Sequence, residues 1–550
     1  MPPITRRQFL GAAGAALVAP ALFPAAGAFG KADRAGGVQF LHGVASGDPL
    51  ADRVILWTRA TLPSADPVNL TWEVATDPSM RQIVASGRAM ADPVNDATVK
   101  VDAGGLRAGR TYWYRFRAGR STSPVGRTRT AAVGSLDRAR FAVVTCADYN
   151  RGLFSAYGRV AERDDLDAVI HLGDYIYEHG RQDRVRPTVP DRECVTVDDY
   201  RARYASYRLD PNLAALHQRH PMIWVWDDHE TCDGTWRDGA DPKNHGDDET
   251  DGSWAARKAA ALRAALEWMP VRTVDPMVPE RIYRRFAFGD LVDLFMLDTR
   301  RIGRDEPIID GGAVPETEFF RQEGAFVDPS RQLLGAAQEA WLFDGLRSSG
   351  AKWRFLGNQV VLSQIKVVGL PDATGQAVYA NPDQWDGYAP ARDRLFDVLE
   401  GLSDVVVLTG DVHASMAYEV SRDGADPTIY DPVTSRGSMA VELVAPSVSS
   451  AGDPRPVTEV PSDSEDVVDL VASLNGDALR AANPHMKYVK TQLNGHLLVD
   501  VTRDAVTAEF WLVPQVSTPT DDQTLDKTFV VRSGSPRLVE ALPVVGALPL

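Results

Sequence analysis

The chain has 550 residues and a formal net charge of −16, long enough for two or three domains because single cores rarely grow past ~300 residues. With 44% hydrophobic and 24% charged residues it has the composition of an ordinary globular protein. The acidic balance argues against specific or broad nucleic-acid binding and against adhesion to anionic membranes, both of which need a basic surface.

Residues 1–28 read as a targeting segment and are set aside from the fold. Thr5-Arg6-Arg7-Gln8-Phe9-Leu10 is a twin-arginine motif, followed by an apolar stretch to Phe23 and by Ala26-Gly27-Ala28, small residues suited to cleavage. An uncleaved anchor is disfavoured by Pro20 and Pro24 and by the short span. The expected partner is the twin-arginine export machinery and the expected location is outside the cytoplasm. That route carries folded proteins and suits an enzyme loaded with metal before crossing. No later run approaches ~18 apolar residues, so the mature chain is expected to lack a transmembrane anchor. Three cysteines remain, Cys146, Cys194 and Cys232. A Cys194–Cys232 disulfide would leave Cys146 over, and free, buried thiols are an equally simple reading.

Residues 36–134 read as a β-sandwich module. Runs such as Val54–Trp57, Leu70–Val74 and Thr111–Phe116 recur between Gly, Pro and Asp turn clusters, and Leu106, Gly109 and Tyr112 have the spacing of a tyrosine corner. The module is immunoglobulin-like or fibronectin-like. From residue 139 to 515 apolar strands alternate with amphipathic helices, an α/β pattern. Strands are expected at 141–146, 168–172, 222–226, 291–297, 354–362 and 405–409, and helices over 254–269 and 338–346. A late hairpin spans 496–513. Segments 181–200, 303–330 and 371–390 are rich in Gly, Pro and Asp and long enough to rim a pocket. Residues 453–475 read as an acidic, solvated excursion. Residues 516–550 form a C-terminal extension that either folds back or stays loose.

Four of the expected strands end on chemistry. Cys146 follows the first, Gly173-Asp174-x-x-Tyr177 the second, Trp226-Asp227-Asp228-His229-Glu230 the third and Gly410-Asp411-Val412-His413 the last. In α/β sheets ligands collect just beyond the carboxyl ends of strands. Each motif alone is common, since buried Asp and His satisfy one another and Asp after Gly caps turns. Thiolate, carboxylate, phenolate and imidazole together at one rim form an anionic set that needs cations, and they supply ligands for two or more of them. Arg151 and Arg300 are candidate phosphate contacts because Arg binds two oxygens at once; surface ion pairing is the competing role. Asn358 reads as a structural hydrogen-bonding residue.

This motif series resembles the calcineurin-like metallophosphatases, with Asp228 and Asp411 in place of nitrogen ligands and Cys146 where most relatives carry Asp. Those departures, the leader, His42-Gly43-Val44-Ala45-Ser46-Gly47-Asp48-Pro49, Leu297-Asp298-Thr299-Arg300 and Gly357-Asn358-Gln359 are similar to the PhoD-like alkaline phosphatase and phosphodiesterase family over nearly the whole chain. The resemblance implies a metallophosphatase-type two-sheet sandwich flanked by helices. It also implies a ferric ion on Cys146, Tyr177 and His413, with Asp174 bridging to calcium, and one or two calcium ions held further by Asp228 and Asp411. His229 would stand near the leaving group. The implied substrate is a phosphoester, with phospholipid or a teichoic-acid-like polymer in range.

Two other functions are compatible with parts of this pattern. A phosphodiesterase, including a phospholipase D-like activity, would use the same metals and differ only in the pocket wall. A secreted binding protein would use the metals structurally, but structural sites close their coordination shell and seldom recruit so many acidic strand ends. Asp233 occupies the last position of a His-Glu-x-x-His frame at His229, which disfavours a zinc protease. There is also no Gly-x4-Gly-Lys-Ser/Thr phosphate loop.

Overall fold

The computed structural model describes residues 37–62, 64–180, 185–245, 251–309, 319–450 and 476–541. The leader and the acidic stretch 453–475 lie outside the described residues. Two large sheets carry the fold. The first runs Val539–Glu540, Thr524–Arg532, Ala505–Leu512, Gly495–Thr502, Arg138–Val144, Ala168–His171, Pro221–Trp224, Val44–Gly47, Arg53–Arg59 and Thr98–Gly104. The second runs Arg284–Phe288, Val292–Met296, Trp353–Gly357, Val405–Thr409, Ala440–Val444, Ser415–Val420 and Met486–Lys490. At the centre of each sheet the strands are parallel.

These central strands are apolar along their length, as strands buried on both faces must be. Val143 and Ile170 from the first sheet share one buried cluster with Leu294, Phe355 and Leu408 from the second, and the Phe141 ring lies 4.8 Å from that of Phe288. The other face of the second sheet is covered by helices Ala336–Ser348 and Ala389–Leu399, whose Leu342, Leu346, Leu395 and Phe396 pack with Phe295, Leu356 and Val407. Helices Ser155–Ala161, Val197–Arg208, Pro211–Arg219 and Trp254–Trp268 add side chains to the larger cluster. Their starts are set by local chemistry. Thr196 and Asp199 form a reciprocal capping box, and Asp210 caps a helix opened by Pro211. No described helix is long and apolar enough to cross a membrane.

Three boundaries differ from the sequence expectation. The strand expected over 354–362 stops at Gly357, because the amides of Val361, Leu362 and Ser363 donate to the side chains of Gln384 and Glu442 at 2.6–2.8 Å instead of to a neighbouring strand. The N-terminal module is joined to the larger body. Val44–Gly47 pairs in parallel with Pro221 and Met222, Trp57 donates to the Glu267 carbonyl at 2.8 Å, and Asp48 and Arg284 make a buried ion pair at 2.5 Å. A Cβ on Gly47 would lie 2.2 Å from the Pro270 carbonyl oxygen, so the close approach requires glycine there. The remaining strands of the module, Ile83–Ala91, Val68–Ala75, Thr111–Ala118, Ser121–Thr122 and Gly126–Arg129, form a separate sheet. That sheet packs on Val54 and Leu56 through Leu70, Val74 and Phe116. The Tyr112 hydroxyl accepts from the Arg107 amide at 2.8 Å. The third boundary is at the C-terminus, where Thr524–Arg532 extends the first sheet and buries Phe529 and Val531.

Candidate metal centre

The carboxyl ends of the central strands of both sheets supply one cluster of side chains. Four of its residues, Cys146, Asp174, Asp411 and His413, have φ of 56°, 55°, 64° and 52°. Left-handed backbone is uncommon for non-glycine residues and costs of order 1–3 kcal/mol each, persisting where the surroundings over-determine it. What fixes it is a lattice of backbone contacts between loops. The Cys146 amide donates to the Gly173 carbonyl at 3.2 Å and the Ala147 amide to that of Asp174 at 2.8 Å. The Gly-Asp motif follows from the same crowding. Gly173 has φ 101°, and a Cβ there would lie 2.5 Å from the Asp227 amide nitrogen.

Cys146, Asp174 and His413 each offer a ligand atom within 4.8 Å of the other two, as do Asp174, Asp228 and His229, and Asp227, Asp228 and Asp411. Asp174 belongs to two of these groups. The Tyr177 hydroxyl joins them, 3.0 Å from Asp174 Oδ2, 2.9 Å from His413 Nε2 and 2.7 Å from Ser450 Oγ. Asp174 Oδ1 and Asp227 Oδ2 are buried with no hydrogen-bond partner, a costly condition for a carboxylate. Burial pushes the Cys146 thiol and the Asp174 carboxyl well above their usual ranges, and neighbouring carboxylates push further. Burial followed by the Asp174 charge does the same to Tyr177. The bare cluster therefore resists ionisation, whereas a cation between these atoms would favour the charged forms. Sulfur, phenol oxygen and imidazole nitrogen fit a ferric ion, and the carboxylate-rich side fits a hard cation such as calcium.

Three charged residues position the ligands. Glu230 is fully buried and accepts the amides of Tyr175, Asp227 and Asp174 at 2.7, 2.8 and 3.1 Å, tying the second and third strand ends together. Burial raises its carboxyl to about 7 against the opposing pull of these amides. Glu178 accepts from His229 Nδ1 at 2.8 Å and from the Asp233 amide at 2.7 Å. Burial works against the His229 imidazolium, but Glu178, Asp174 and Asp228 outweigh it and hold the pKa well above the usual value. Arg300 is wholly buried. Its guanidinium reaches Asp227, Asp383 and Asp411, the last two at 2.6 Å, and lies 3.7 Å from Asp228.

The sequence-expected residues divide accordingly. Cys146, Asp174, Tyr177, Asp228, His229, Asp411 and His413 lie together. Arg300 is present but its donors are spent on carboxylates. Arg151 is partly exposed and pairs with Asp148 at 3.2 Å. Asn358 accepts from Trp385 Nε1 at 3.2 Å, a structural bond. Cys194 and Cys232 are free and buried. Residues missed by the motif reading are Glu178, Glu230, Asp383, Ser450 and Gln384, whose amide donates to Asp411 Oδ2 at 2.6 Å. Glu230 closes one quoted motif and Glu178 directly follows Tyr177, the last residue of another. Asp383 and Gln384 come from the 371–390 segment expected to rim a pocket.

A family model described as PhoD-like phosphatase matches residues 141–510, and one described as PhoD-like phosphatase, N-terminal domain, matches residues 25–132. The chain is 35% identical over 504 residues to alkaline phosphatase D of Bacillus subtilis (strain 168), covering 87% of this chain and 78% of that protein. A solved structure titled "Structure of PhoD" superposes with a TM-score of 0.79 at 32% identity, covering 93% of each chain. Family models and relatives that span both parts of the chain agree with a strand-end cluster built for cations: this chain belongs to the PhoD-like phosphatase family and is a phosphoester hydrolase.

Proposed function

We propose that this protein is an exported, metal-dependent phosphoester hydrolase acting on phosphomonoesters, with a ferric ion held by Cys146, Tyr177 and His413 and calcium held by Asp228 and Asp411, Asp174 bridging the two. The observation that carries this reading is the set of four left-handed ligand residues around a buried, partnerless Asp174 oxygen. The monoester preference follows the relative named alkaline phosphatase D, and export follows the twin-arginine motif. In the same reading residues 139–515 form a metallophosphatase-type sandwich and residues 36–134 an immunoglobulin-like or fibronectin-like module.

When bound, the cations supply the positive charge that draws the phosphoryl oxygens and acidifies water. The chain's own residues do the rest. Glu178 holds Nδ1 of His229, leaving Nε2 to protonate the departing alkoxide. Arg300 keeps Asp227, Asp411 and Asp383 apart from one another and in register. Arg151, partly exposed beside Asp148, turns its guanidinium to the phosphate. No side chain need attack phosphorus.

The test is hydrolysis of p-nitrophenyl phosphate, bis-p-nitrophenyl phosphate and phosphatidylcholine by the exported protein, with elemental analysis of the same sample. Monoester turnover with iron and calcium present is expected. Turnover confined to the diester or the phospholipid would move the reading to a phosphodiesterase with the same metal ligands. No turnover in the metal-replete protein would favour a binding protein.

A further inference from the structure

A fourth group of side chains able to hold a metal ion lies on the solvent side of the centre. Glu178, His179 and His229 each offer a donor atom within 4.8 Å of the other two. Glu178 Oε2 is 2.8 Å from His229 Nδ1, and Glu178 Oε1 is 3.8 Å from His179 Nδ1. The group shares no residue with Cys146, Asp174 and His413, and has His229 in common with the group of Asp174 and Asp228. Its exposure is graded: the side chain of Glu178 is 1% exposed, that of His229 12% and that of His179 29%. A cation from solvent therefore meets His179 first. The two imidazoles are in T-shaped contact, with ring centroids 5.0 Å apart, and the His229 ring packs on that of Tyr177 at 4.1 Å. Two imidazole nitrogens and one carboxylate oxygen, with water completing a tetrahedron, are a donor set for zinc and too rich in nitrogen for calcium.

We propose that Glu178, His179 and His229 bind one zinc ion at the mouth of the active site and that this zinc is a reversible inhibitor, an inference whose inhibitory half rests on the role of His229 given above. Zinc takes the place of the proton that His229 Nδ1 shares with Glu178. That proton leaves to solvent and nothing is oxidised or reduced. His229 is then locked as a ligand through Nδ1 and keeps its Nε2 proton, but a zinc-bound neutral imidazole is a weaker acid than the imidazolium it replaces, so the leaving oxygen is protonated more slowly. His179 has no part in the proposed hydrolysis; in the structure it touches Glu178 and the Tyr177 and His229 rings.

The experiment uses the full, iron- and calcium-loaded chain equilibrated with micromolar zinc chloride. Zinc, iron and calcium are counted by elemental analysis, cobalt(II) is substituted to record its visible bands, and hydrolysis of p-nitrophenyl phosphate and of an alkyl phosphate is followed. The expected result is one added zinc per chain with iron and calcium retained, and inhibition of alkyl phosphate hydrolysis with the same midpoint as binding, p-nitrophenyl phosphate hydrolysis being slowed far less. His179→Gln should weaken both by at least ~10-fold, since even an outer partner of a metal ligand is worth 10–100-fold. His179→Asp, which restores an oxygen donor, should regain the added equivalent. Zinc gained only as iron or calcium is lost would overturn the proposal. So would Gln and Asp variants that bind alike. If the protein hydrolyses nothing, the zinc count and cobalt bands still decide the site, and only the functional reading falls.

Discussion

Arg300→Met separates a substrate contact from a positioning residue. In the structure four carboxylates, Asp227, Asp228, Asp383 and Asp411, face Arg300, and among the described residues only Asp383 has a second guanidinium, that of Arg304. Arg300 is at 0% exposure and Asp227 and Asp228 are buried with it, while Asp411 and Asp383 are partly exposed. Removing one partner of a buried ion pair costs about 3–5 kcal/mol, because the remaining charge is left uncompensated. Methionine fills most of the arginine volume, so the penalty reports charge and not a cavity. Urea unfolding of metal-stripped enzyme should therefore show Arg300→Met less stable by about 3–5 kcal/mol. The loss should shrink in the loaded enzyme, where cations share the work of neutralising the same carboxylates. A variant within ~0.5 kcal/mol of the parent, the range of an inconsequential surface change, with its defect confined to a raised KM, would refute the positioning role and make Arg300 a phosphate contact.

The remaining expectations concern the ligands and the proton donor. Cys146→Ala should lose iron by elemental analysis and nearly all turnover, with the N-terminal sheets still folded by circular dichroism. His229→Ala should slow alkyl phosphate hydrolysis by ~10²–10⁴-fold and p-nitrophenyl phosphate far less, since that leaving group needs no proton. Glu178→Gln removes a charge that favours the His229 imidazolium. The protonated form is the active acid and is lost as pH rises through its pKa, so the alkaline fall of the rate should move to lower pH, by roughly 1–3 pH units. Gly173→Ala forces a Cβ to within 2.5 Å of Asp227 at φ 101° and should cost at least ~1–3 kcal/mol, with metal content falling in step.

Much of the centre was legible in the sequence because its ligands follow apolar strands directly. Cys146, Asp174, Asp228, Asp411 and His413 each stand within five residues of a strand end, and parallel strands deliver their carboxyl ends to one side. The supporting residues were not legible in that way. Gln384 and Asp383 arrive from a loop whose composition predicts only that it is irregular, and Ser450 meets Tyr177 across 273 positions of chain. Arg300 was read as a phosphate contact because a motif gives a residue type its place but not its partners. The joining of the N-terminal strands to the main sheet was equally hidden. Nothing in the short run Val44-Ala45-Ser46-Gly47 marks it as a strand of the main sheet or names Pro221 and Met222 as its partners.

The most direct measurement is stripping and reconstitution. The folded protein is freed of metal by chelation, its iron and calcium contents are verified, and p-nitrophenyl phosphate hydrolysis is followed as iron and calcium are returned separately and together, beside Cys146→Ala. Loss of turnover on stripping, recovery only with both metals, and no recovery in the variant are the expected results. Full turnover by metal-free protein, or recovery of Cys146→Ala to the parent rate, would contradict a hydrolase built on the Cys146, Asp174, Tyr177 and His413 centre.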